Sequence, residues 1–243
     1  MSKQLCATLW EGFNNVIEAR AALQTLLEKS DSEGFDTEQL KSAIAALQNN
    51  NAEYQQLLKT SATLPDGTPI HATDYLALCK LAADNDLDRD KVLERITCDC
   101  ISFEGRVLTT SLTNLGLSNI SALKHLTALT KLWLDNNQII NISPLKNLTS
   151  LTNLWLENNQ IINISPLKNL TGLTSLWLQN NQIIDISPIQ KLNALTSLLL
   201  SDNQIEDISP IKDLPIFNSY NFISRNNPFS EDSKALLEAR RIS

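Results

Sequence analysis

The chain has 243 residues, of which 42% are hydrophobic and 19% charged, and its formal net charge is -7. This length allows one or two domains with a sizeable core. The acidity is concentrated in residues 1–100, which carry 9 basic and 16 acidic groups. Because phosphate binding requires clustered Lys and Arg, this balance argues against a nucleic-acid partner. The apolar runs are shorter than the roughly 18 residues of a membrane span, so no span is expected.

The N-terminus reaches Glu11 before a signal-like apolar core develops, so export through a signal peptide is not expected. We therefore expect the protein to be cytoplasmic, or to be delivered by a secretion route that needs no signal peptide. All four cysteines lie in the first hundred residues, and without a signal peptide they are expected to be reduced thiols rather than disulfides. They are Cys6, Cys79, Cys98 and Cys100.

The first sixty residues have the pattern of two amphipathic helices. Apolar residues recur at helical spacing from Ser2 to about Ser30, and again after Asp36. Asp36 lies three residues before Gln39, which is the spacing of a capping box. Two long helices joined by a short turn predict an antiparallel helical hairpin.

The segment ATLPDGTPI, residues 62–70, contains two prolines and Gly67, so we expect no regular structure through it. Two shorter helices are predicted after it, at about Thr73–Ala83 and Leu87–Ile96. Residues 1–100 are therefore predicted to form a small acidic all-α domain, which would also cover the N-terminal end of the second half of the chain.

From Val107 the sequence has a 22-residue period. LTKLWLDNNQIINISPLKNLTS, residues 129–150, and the segment that spans residues 151–172 are identical at 19 positions. A single copy cannot bury its Leu and Ile side chains, so the copies are expected to stack into a solenoid with one continuous core. The copies begin at Val107, Leu129, Leu151, Leu173 and Leu195, with a truncated copy from Phe217.

The template LxxLxLxxNxIxxIxxLxxLxx resembles the leucine-rich repeat, in the 22-residue class of internalins and SDS22-like proteins. The resemblance implies a solenoid with short parallel strands on its concave face and 3₁₀ turns on its convex face. With the all-α domain that the helical periodicity predicts before it, the expected fold class is α/β. The predicted domains are residues 1–100, a repeat domain over 101–228, and a C-terminal capping helix within 229–243 that begins near Ser230.

One asparagine of each copy is assigned to the scaffold. It follows the strand, where its amide can satisfy loop N–H and C=O groups that would otherwise be buried unpaired. We therefore expect Asn159→Ala to destabilise the fold and Asn158→Ala to be nearly neutral. The scaffold asparagines are Asn137, Asn159, Asn181 and Asn203.

A tryptophan stands between two core leucines in three successive copies. Because side chains alternate along a strand, Trp133 is expected to leave the sheet by its concave face. Trp155 and Trp177 take the same position on neighbouring strands about 4.8 Å apart, and Leu199 continues the column. We call Trp133, Trp155 and Trp177 the Trp ladder and expect its rings to be substantially exposed. Two alternatives remain: the rings only stiffen the sheet by stacking, or duplication copied an unused tryptophan.

The columns on either side of the Trp ladder vary between copies. An aromatic centre with a polar border, acidic at its N-terminal end, is typical of a protein interface. It favours a partner protein with an apolar or aromatic knob and a nearby Lys or Arg. The predicted partner-binding residues are Lys131, Asn153 and Ser175 in one column, Asp135, Glu157 and Gln179 in the other, and Trp133, Trp155, Trp177 and Leu199 between them.

The leading hypothesis is a protein-interaction module that is not an enzyme and has no cofactor or metal. The resemblance implies a bacterial internalin-like or effector protein. An SDS22-like intracellular adaptor or phosphatase regulator is the alternative. An enzyme seated in residues 60–100 would use Cys79 or Cys98 with His71, but no nucleophile motif surrounds them. The single residue between Cys98 and Cys100 is also too few for the usual zinc-binding pair.

Overall fold

The computed structural model describes residues 62–64, 69–96, 100–102, 106–218 and 222–239. The chain divides into two compact units, residues 1–110 and 111–243. The predicted helical hairpin, Cys6 and Cys98 lie outside the described residues. In the part of the chain that is described, no helix combines the length and the apolar character that crossing a membrane requires.

The first unit contains two short antiparallel strands, β1 (Ala62–Thr63) and β2 (Pro69–Ile70). They pair Ala62 with Ile70 and Thr63 with Pro69. The prediction that no regular structure crosses this segment is therefore wrong. A proline lacks the N–H for a central strand position, but it is tolerated as the first residue of a strand, which is where Pro69 lies. The unit thus contains strands as well as the predicted helices.

Two helices follow, α1 (Ala72–Asp84) and α2 (Arg89–Leu93). They confirm the two predicted short helices, although α2 ends earlier than expected. His71 caps α1, because its Nδ1 accepts a hydrogen bond from the N–H of Thr73 at 3.3 Å. Asp88 caps α2 in the same way. Each cap satisfies an N–H that has no partner within its helix.

A buried ion pair holds α1 within the first unit. Asp74, in the first turn of α1, is 0% exposed. Its carboxylate accepts hydrogen bonds from Nε of Arg106 at 3.1 and 3.0 Å and from the N–H of Val107 at 2.8 Å. A buried carboxylate is tolerated only when such partners replace water. The pair therefore fixes α1 against residues 106–107.

The repeats form a parallel sheet of six short strands arranged in chain order. Leu132 pairs with Leu154, and Trp133 with Trp155, so equivalent residues of successive copies are neighbours. The middle leucines of the four strands that begin at Lys131, Asn153, Ser175 and Ser197 are completely buried, which confirms the predicted register for these copies; they are Leu132, Leu154, Leu176 and Leu198. The strands are β3 (Thr109–Ser111), β4 (Lys131–Trp133), β5 (Asn153–Trp155), β6 (Ser175–Trp177), β7 (Ser197–Leu199) and β8 (Phe222–Ile223).

The chain returns from each strand to the next through 3₁₀ helices, as predicted. In five of them a proline occupies one of the first two positions, where its missing N–H would have had no partner. The sheet and these turns together give the expected leucine-rich-repeat architecture. The 3₁₀ helices are Ser121–His125, Ser143–Leu145, Ser165–Asn169, Ser187–Ile189, Ser209–Ile211 and Pro215–Asn218.

The predicted C-terminal helix is present as α3 (Glu231–Ala239). Ser233 of this helix is buried. Its hydroxyl accepts a hydrogen bond from the N–H of Ile208 at 3.0 Å. The helix is thereby fixed to the last repeats of its own unit.

The scaffold asparagines form an Asn ladder that joins each copy to the one before it. Nδ2 of Asn159 donates to the carbonyl oxygens of Leu134 and Leu156, each at 3.0 Å. Its Oδ1 accepts from the N–H of Ile139 at 2.9 Å. These contacts recur at Asn137, Asn181 and Asn203. The predicted scaffold role of these residues is confirmed.

The residue before each ladder asparagine adopts a left-handed backbone conformation. Asn158 has φ 55°, and its Nδ2 donates to Oδ1 of Asn136 at 3.0 Å. Residues other than glycine rarely adopt a positive φ, and among them Asn and Asp tolerate it best. The structure therefore contradicts the basis on which Asn158→Ala was expected to be nearly neutral. The residues that precede a ladder asparagine in this conformation are Asn136, Asn158, Asn180, Asp202 and Asn226, and Asn114 adopts it at the same position of the first copy.

The last repeat is two residues longer than the others. Leu199 pairs with Ile223, so the 22-residue copy predicted from Phe217 is out of register by two. The extra length accompanies an additional 3₁₀ helix, Pro215–Asn218. Asn227 is consequently a further member of the Asn ladder, because its Oδ1 accepts from the N–H of Ile205 at 3.1 Å.

Candidate functional site on the concave face of the sheet

Strand alternation places the Trp ladder on the face of the sheet opposite the buried leucines. The parallel register brings Trp133, Trp155 and Trp177 side by side and continues the column to Leu199. It also extends the column to Ile223, which is 40% exposed. Ile223 was absent from the predicted set, because the two extra residues of the last repeat displace it from the 22-residue period.

The rings of the Trp ladder cover one another. The Trp133 and Trp155 rings stack with centroids 4.3 Å apart and planes 3° apart. The Trp155 and Trp177 rings meet edge to face, with centroids 6.1 Å apart and planes 80° apart. All three side chains are half-buried rather than substantially exposed. Strands about 4.8 Å apart leave little room between indoles at the same register position, so the predicted exposure was too high.

A hydrogen bond accompanies the perpendicular orientation of the Trp177 ring. Its Nε1 donates a hydrogen bond to Oγ of Ser197 on the next strand at 3.1 Å. The Trp ladder is therefore a stacked pair followed by one ring at nearly a right angle. This change of orientation lies between the third and fourth copies, at Trp155 and Trp177.

The column that precedes the Trp ladder on each strand is mostly polar and uncharged. Lys131 is exposed, Asn153 is half-buried and Ser175 is buried. Asn153 accepts a hydrogen bond from Oγ1 of Thr152 at 2.8 Å. Of these predicted site residues, Lys131 is the one that presents a charge.

The column that follows the Trp ladder carries the acidic residues. Asp135, Glu157 and Gln179 are all half-buried. The two carboxylate oxygens of Asp135 accept hydrogen bonds from Oγ1 of Thr113 and from Nδ2 of Asn136, each at 2.8 Å. The carboxylate of Asp135 is therefore satisfied within the fold.

The same column continues to a basic residue at its far end. The N–H of Arg225 donates to Oγ of Ser201 at 3.0 Å, and the Arg225 side chain is exposed. The column thus changes from acidic to basic along the sheet. Arg225 was missed because the 22-residue period places it at a scaffold position. The dipeptide Asn226–Asn227, which repeats Asn158–Asn159, was the sequence signal that could have corrected the register.

Two acceptor atoms in this column have no hydrogen-bond donor among the residues that the structure describes. They are Oε2 of Glu157 and Oε1 of Gln179, and both atoms are buried. Burial raises the pKa of Glu157, and the neighbouring carboxylate of Asp135 raises it further. A buried acceptor without a donor costs free energy, so such atoms are uncommon in folded proteins. Both belong to the repeats that carry Trp155 and Trp177.

The most exposed large apolar side chains lie outside the sheet. Ile140, Ile162 and Ile184 are 57%, 49% and 54% exposed. We call these three residues the Ile column. Each follows a buried isoleucine on the loop after its strand, so exposed and buried positions are adjacent in the sequence. They were not among the predicted site residues, and they give a second surface against which the concave face can be tested.

The residues considered for catalysis or metal binding have other surroundings. Cys79 is buried and Cys100 half-buried. His71 caps α1, with Nδ1 also 2.6 Å from Oγ1 of Thr73. Within residues 62–64, 69–96, 100–102, 106–218 and 222–239, no group of three or more His, Cys, Asp or Glu side chains is placed to hold a metal ion. The expected absence of a metal, a cofactor and an enzymatic activity stays a prediction.

Comparison with known proteins agrees with this geometry. A family model described as leucine rich repeats (2 copies) matches residues 127–169 and 149–191. An internalin (inlF) from Listeria monocytogenes strain 4b F2365 is 34% identical over 55% of this chain and 39% of its own, with a TM-score of 0.50. The repeat region is a leucine-rich-repeat solenoid and is similar to this internalin, of whose length the chain spans 39%.

Two further solved structures match part of this chain. Internalin C2 from the same strain is 28% identical over 66% of this chain and 86% of its own, with a TM-score of 0.34. The leucine-rich-repeat ectodomain of the receptor kinase SOBIR1 from Arabidopsis thaliana is 17% identical over 66% and 95%, with a TM-score of 0.53, and shares the fold. At the level of sequence, no curated protein is similar enough to count as a relative.

Proposed function

We propose that the leucine-rich-repeat solenoid binds a partner protein on its concave face through the Trp ladder. The observation that carries the proposal is the placement of three indoles in register on one face, between two polar columns. Leucine-rich repeats typically serve as protein-binding scaffolds, and their stacking creates an extended concave surface. Trp is also the residue most often found at the energetic centre of an interface.

The variable positions support a binding role over stacking alone. Between the second and third copies three positions differ, and two of them, Lys131 with Asn153 and Asp135 with Glu157, border the Trp ladder. Stacking would stabilise the sheet whichever polar residues flanked it. Differences concentrated beside the rings are the pattern of a surface that recognises a partner, with an aromatic centre and a polar border.

The charges of the concave face define the partner that fits best. Asp135 and Glu157 favour a Lys or Arg near the N-terminal end of the surface, beside an apolar or aromatic knob that packs on the rings. Arg225 favours an acidic group at the other end. The likeness to a 34% identical internalin supports an internalin-like protein among the leucine-rich-repeat classes.

A pull-down with three forms of the chain tests the proposal. The intact chain is compared with a variant in which Trp133, Trp155 and Trp177 are changed to Ala, and with a matched control in which Ile140, Ile162 and Ile184 are changed to Ser. All three forms are first shown to be folded by circular dichroism. The proposal expects a protein that the intact chain and the Ile variant retain and the Trp variant loses.

The opposite pattern would contradict it. If the Trp variant keeps the partner while the Ile variant loses it, the binding surface is the Ile column. A partner that both variants retain would show that the binding site lies outside both the Trp ladder and the Ile column.

A further inference from the structure

The orphaned acceptors coincide with the change of ring orientation in the Trp ladder. Glu157 lies two residues after Trp155 and Gln179 two residues after Trp177, so all four side chains belong to the same face of the sheet. The Trp155 and Trp177 rings are 80° apart here, whereas the Trp133 and Trp155 rings stack. Two indole rings and two oxygen atoms that lack donors among the described residues are therefore brought to the same face by adjacent repeats.

These acceptor atoms specify the chemistry of a ligand. An ionised carboxylate only accepts hydrogen bonds, and so does an amide oxygen, so both atoms require donors. Glu157 differs in this respect from Asp135 in the same column, whose carboxylate already has two donors. Burial also raises the pKa of Glu157, which means that its charge is poorly solvated and gains from a nearby cation.

We propose that Glu157, Gln179, Trp155 and Trp177 form a recognition site for a guanidinium group, the side chain of an arginine on the partner protein. This rests on the proposed function, because the arginine belongs to the protein that the concave face binds. A guanidinium is planar, so it lies against an indole face and donates from its edge to two acceptors at once. An ammonium is a strongly hydrated point charge that has no flat face to place against the ring.

The site is reached by small side-chain movements. Glu157 and Gln179 are half-buried, so part of each side chain is already at the surface, and the last torsion of such side chains is broad enough to adjust to a donor that approaches. The hydrogen bond of Trp177 to Ser197 holds one ring in place during this movement. The neighbouring carboxylate of Asp135 adds to the attraction for a cation without taking part in the hydrogen bonds.

A titration with small probes tests the site on the whole chain. N-acetyl-arginine methylamide, its lysine analogue and its neutral citrulline analogue are added separately, and the indole N–H shifts are followed by NMR. The proposal expects the arginine probe to bind about tenfold more tightly than the citrulline probe, because the citrulline side chain lacks the charge. It expects an advantage of at least about threefold over the lysine probe.

Two variants distinguish binding through the Glu157 carboxylate itself from a general attraction of the cation to the acidic end of the concave face. Glu157→Gln should weaken the arginine probe by about fivefold or more, because the carboxylate is lost. The matched variant Asp135→Asn should weaken it by less than about twofold, because this carboxylate acts on the probe only through a solvent-screened field. Equal binding of the arginine and citrulline probes overturns the proposal, as does equal binding of the arginine and lysine probes or an equal loss in the two variants.

The failure of this site can be told apart from failure of the proposed function. If the Trp variant loses the partner while Glu157→Gln retains it with unchanged affinity, the concave face binds the partner and the guanidinium site is wrong. If the Trp variant retains the partner, the proposed function is wrong, whatever the probes show.

Discussion

The side-chain amide of Asn159 donates a hydrogen bond to the carbonyl oxygen of Leu134 at 3.0 Å, although the two residues belong to successive copies of the repeat. The same amide nitrogen also donates to the carbonyl oxygen of Leu156 in its own copy, and the amide oxygen accepts a hydrogen bond from the N–H of Ile139 in the previous copy. One side chain therefore completes the backbone hydrogen bonding of two successive turns of the solenoid.

Removing this amide should destabilise the solenoid. Asn159→Ala leaves the carbonyls of Leu134 and Leu156 and the N–H of Ile139 without their partner, so the free energy of unfolding should fall by about 1–3 kcal/mol. Urea denaturation followed by circular dichroism measures the change.

Asn158, the residue before Asn159, provides a control, because its substitution should destabilise the fold through backbone strain rather than through lost hydrogen bonds. Asn158→Ala should cost about 1 kcal/mol, because alanine at φ 55° is strained. Asn158→Gly should cost less than Asn158→Ala, since glycine adopts this conformation freely. If Asn158→Gly and Asn159→Ala gave the same midpoint, the assignment of the two positions would be wrong.

The middle ring of the Trp ladder should contribute more to stability than the first. Trp155→Ala removes ring contacts with both Trp133 and Trp177, whereas Trp133→Ala removes one. The first change should therefore cost about 0.5–1.5 kcal/mol more than the second. Each should remain below the roughly 3–5 kcal/mol of a core aromatic truncation, because the rings are only half-buried.

Chemical denaturation of the two variants measures both quantities. A loss as large as that of a core aromatic would make the Trp ladder a structural spine and would weaken the case for binding there. Identical losses would show that the ring contacts add nothing to the burial of each side chain.

Ionisation of Glu157 should lower stability as the pH rises. Burial and the carboxylate of Asp135 raise its pKa above the ordinary value of 4.5, so the folded state holds this proton more tightly than the unfolded state. The stabilising contribution is present below the ordinary value and is lost as the pH rises through the raised pKa. Glu157→Gln does not ionise, so its stability relative to the wild type should increase between about pH 4 and about pH 7.

Urea midpoints of the wild type and Glu157→Gln across this range test the sign. Asp135→Asn should reduce the pH-dependent difference, because it removes the like charge that raises the pKa of Glu157. A difference that does not change with pH would show that Glu157 has the same pKa in both states.

Breaking the ion pair between Asp74 and Arg106 should lower stability more than changing the exposed pair between Lys212 and Asp213. Asp74→Asn removes the charge opposite Arg106 and leaves the guanidinium partly buried without its carboxylate. The expected loss is about 3–5 kcal/mol in the stability of that unit. Asp213→Asn, which alters the exposed contact with Lys212 at 3.9 Å, should change stability by less than about 1 kcal/mol.

Thermal unfolding monitored by circular dichroism compares these two variants. Equal and small shifts would show that solvent or another group replaces the Asp74 carboxylate as the partner of Arg106.

The features that repeat along the chain were predictable from the sequence. Each copy must bury the Leu and Ile of the repeat template, and the 22-residue period leaves one register in which those template positions face inward. The position of the Asn ladder follows from this register, because the asparagine after each strand supplies the side-chain amide that can hydrogen-bond the buried N–H and C=O groups of the turn. The column of the Trp ladder follows from strand alternation alone.

The features that depend on backbone angles or on single contacts were not predictable in the same way. Nothing in the composition distinguishes the strained Asn158 from the ladder residue Asn159, since both are asparagine. Trp177, the turned ring, donates a hydrogen bond to the hydroxyl of Ser197, whereas Trp155 stacks on Trp133 although Ser175 stands at the equivalent position, so the residue types did not predict the ring orientation. The pairing of Asp74 with Arg106 joins distant residues that share no pattern. Strict periodicity also misplaced the last repeat, where two extra residues shift Arg225 and Asn227.

The Asn ladder makes the copies interchangeable. If residues 151–172 were removed, Asn181 would meet Leu134 as Asn159 now does, and Trp177 would become the neighbour of Trp133. Recombination between gene segments that encode nearly identical copies can therefore lengthen or shorten the protein in whole units, with no new packing to be selected. Each event would change the width of the concave sheet by about 4.8 Å, the spacing of one strand.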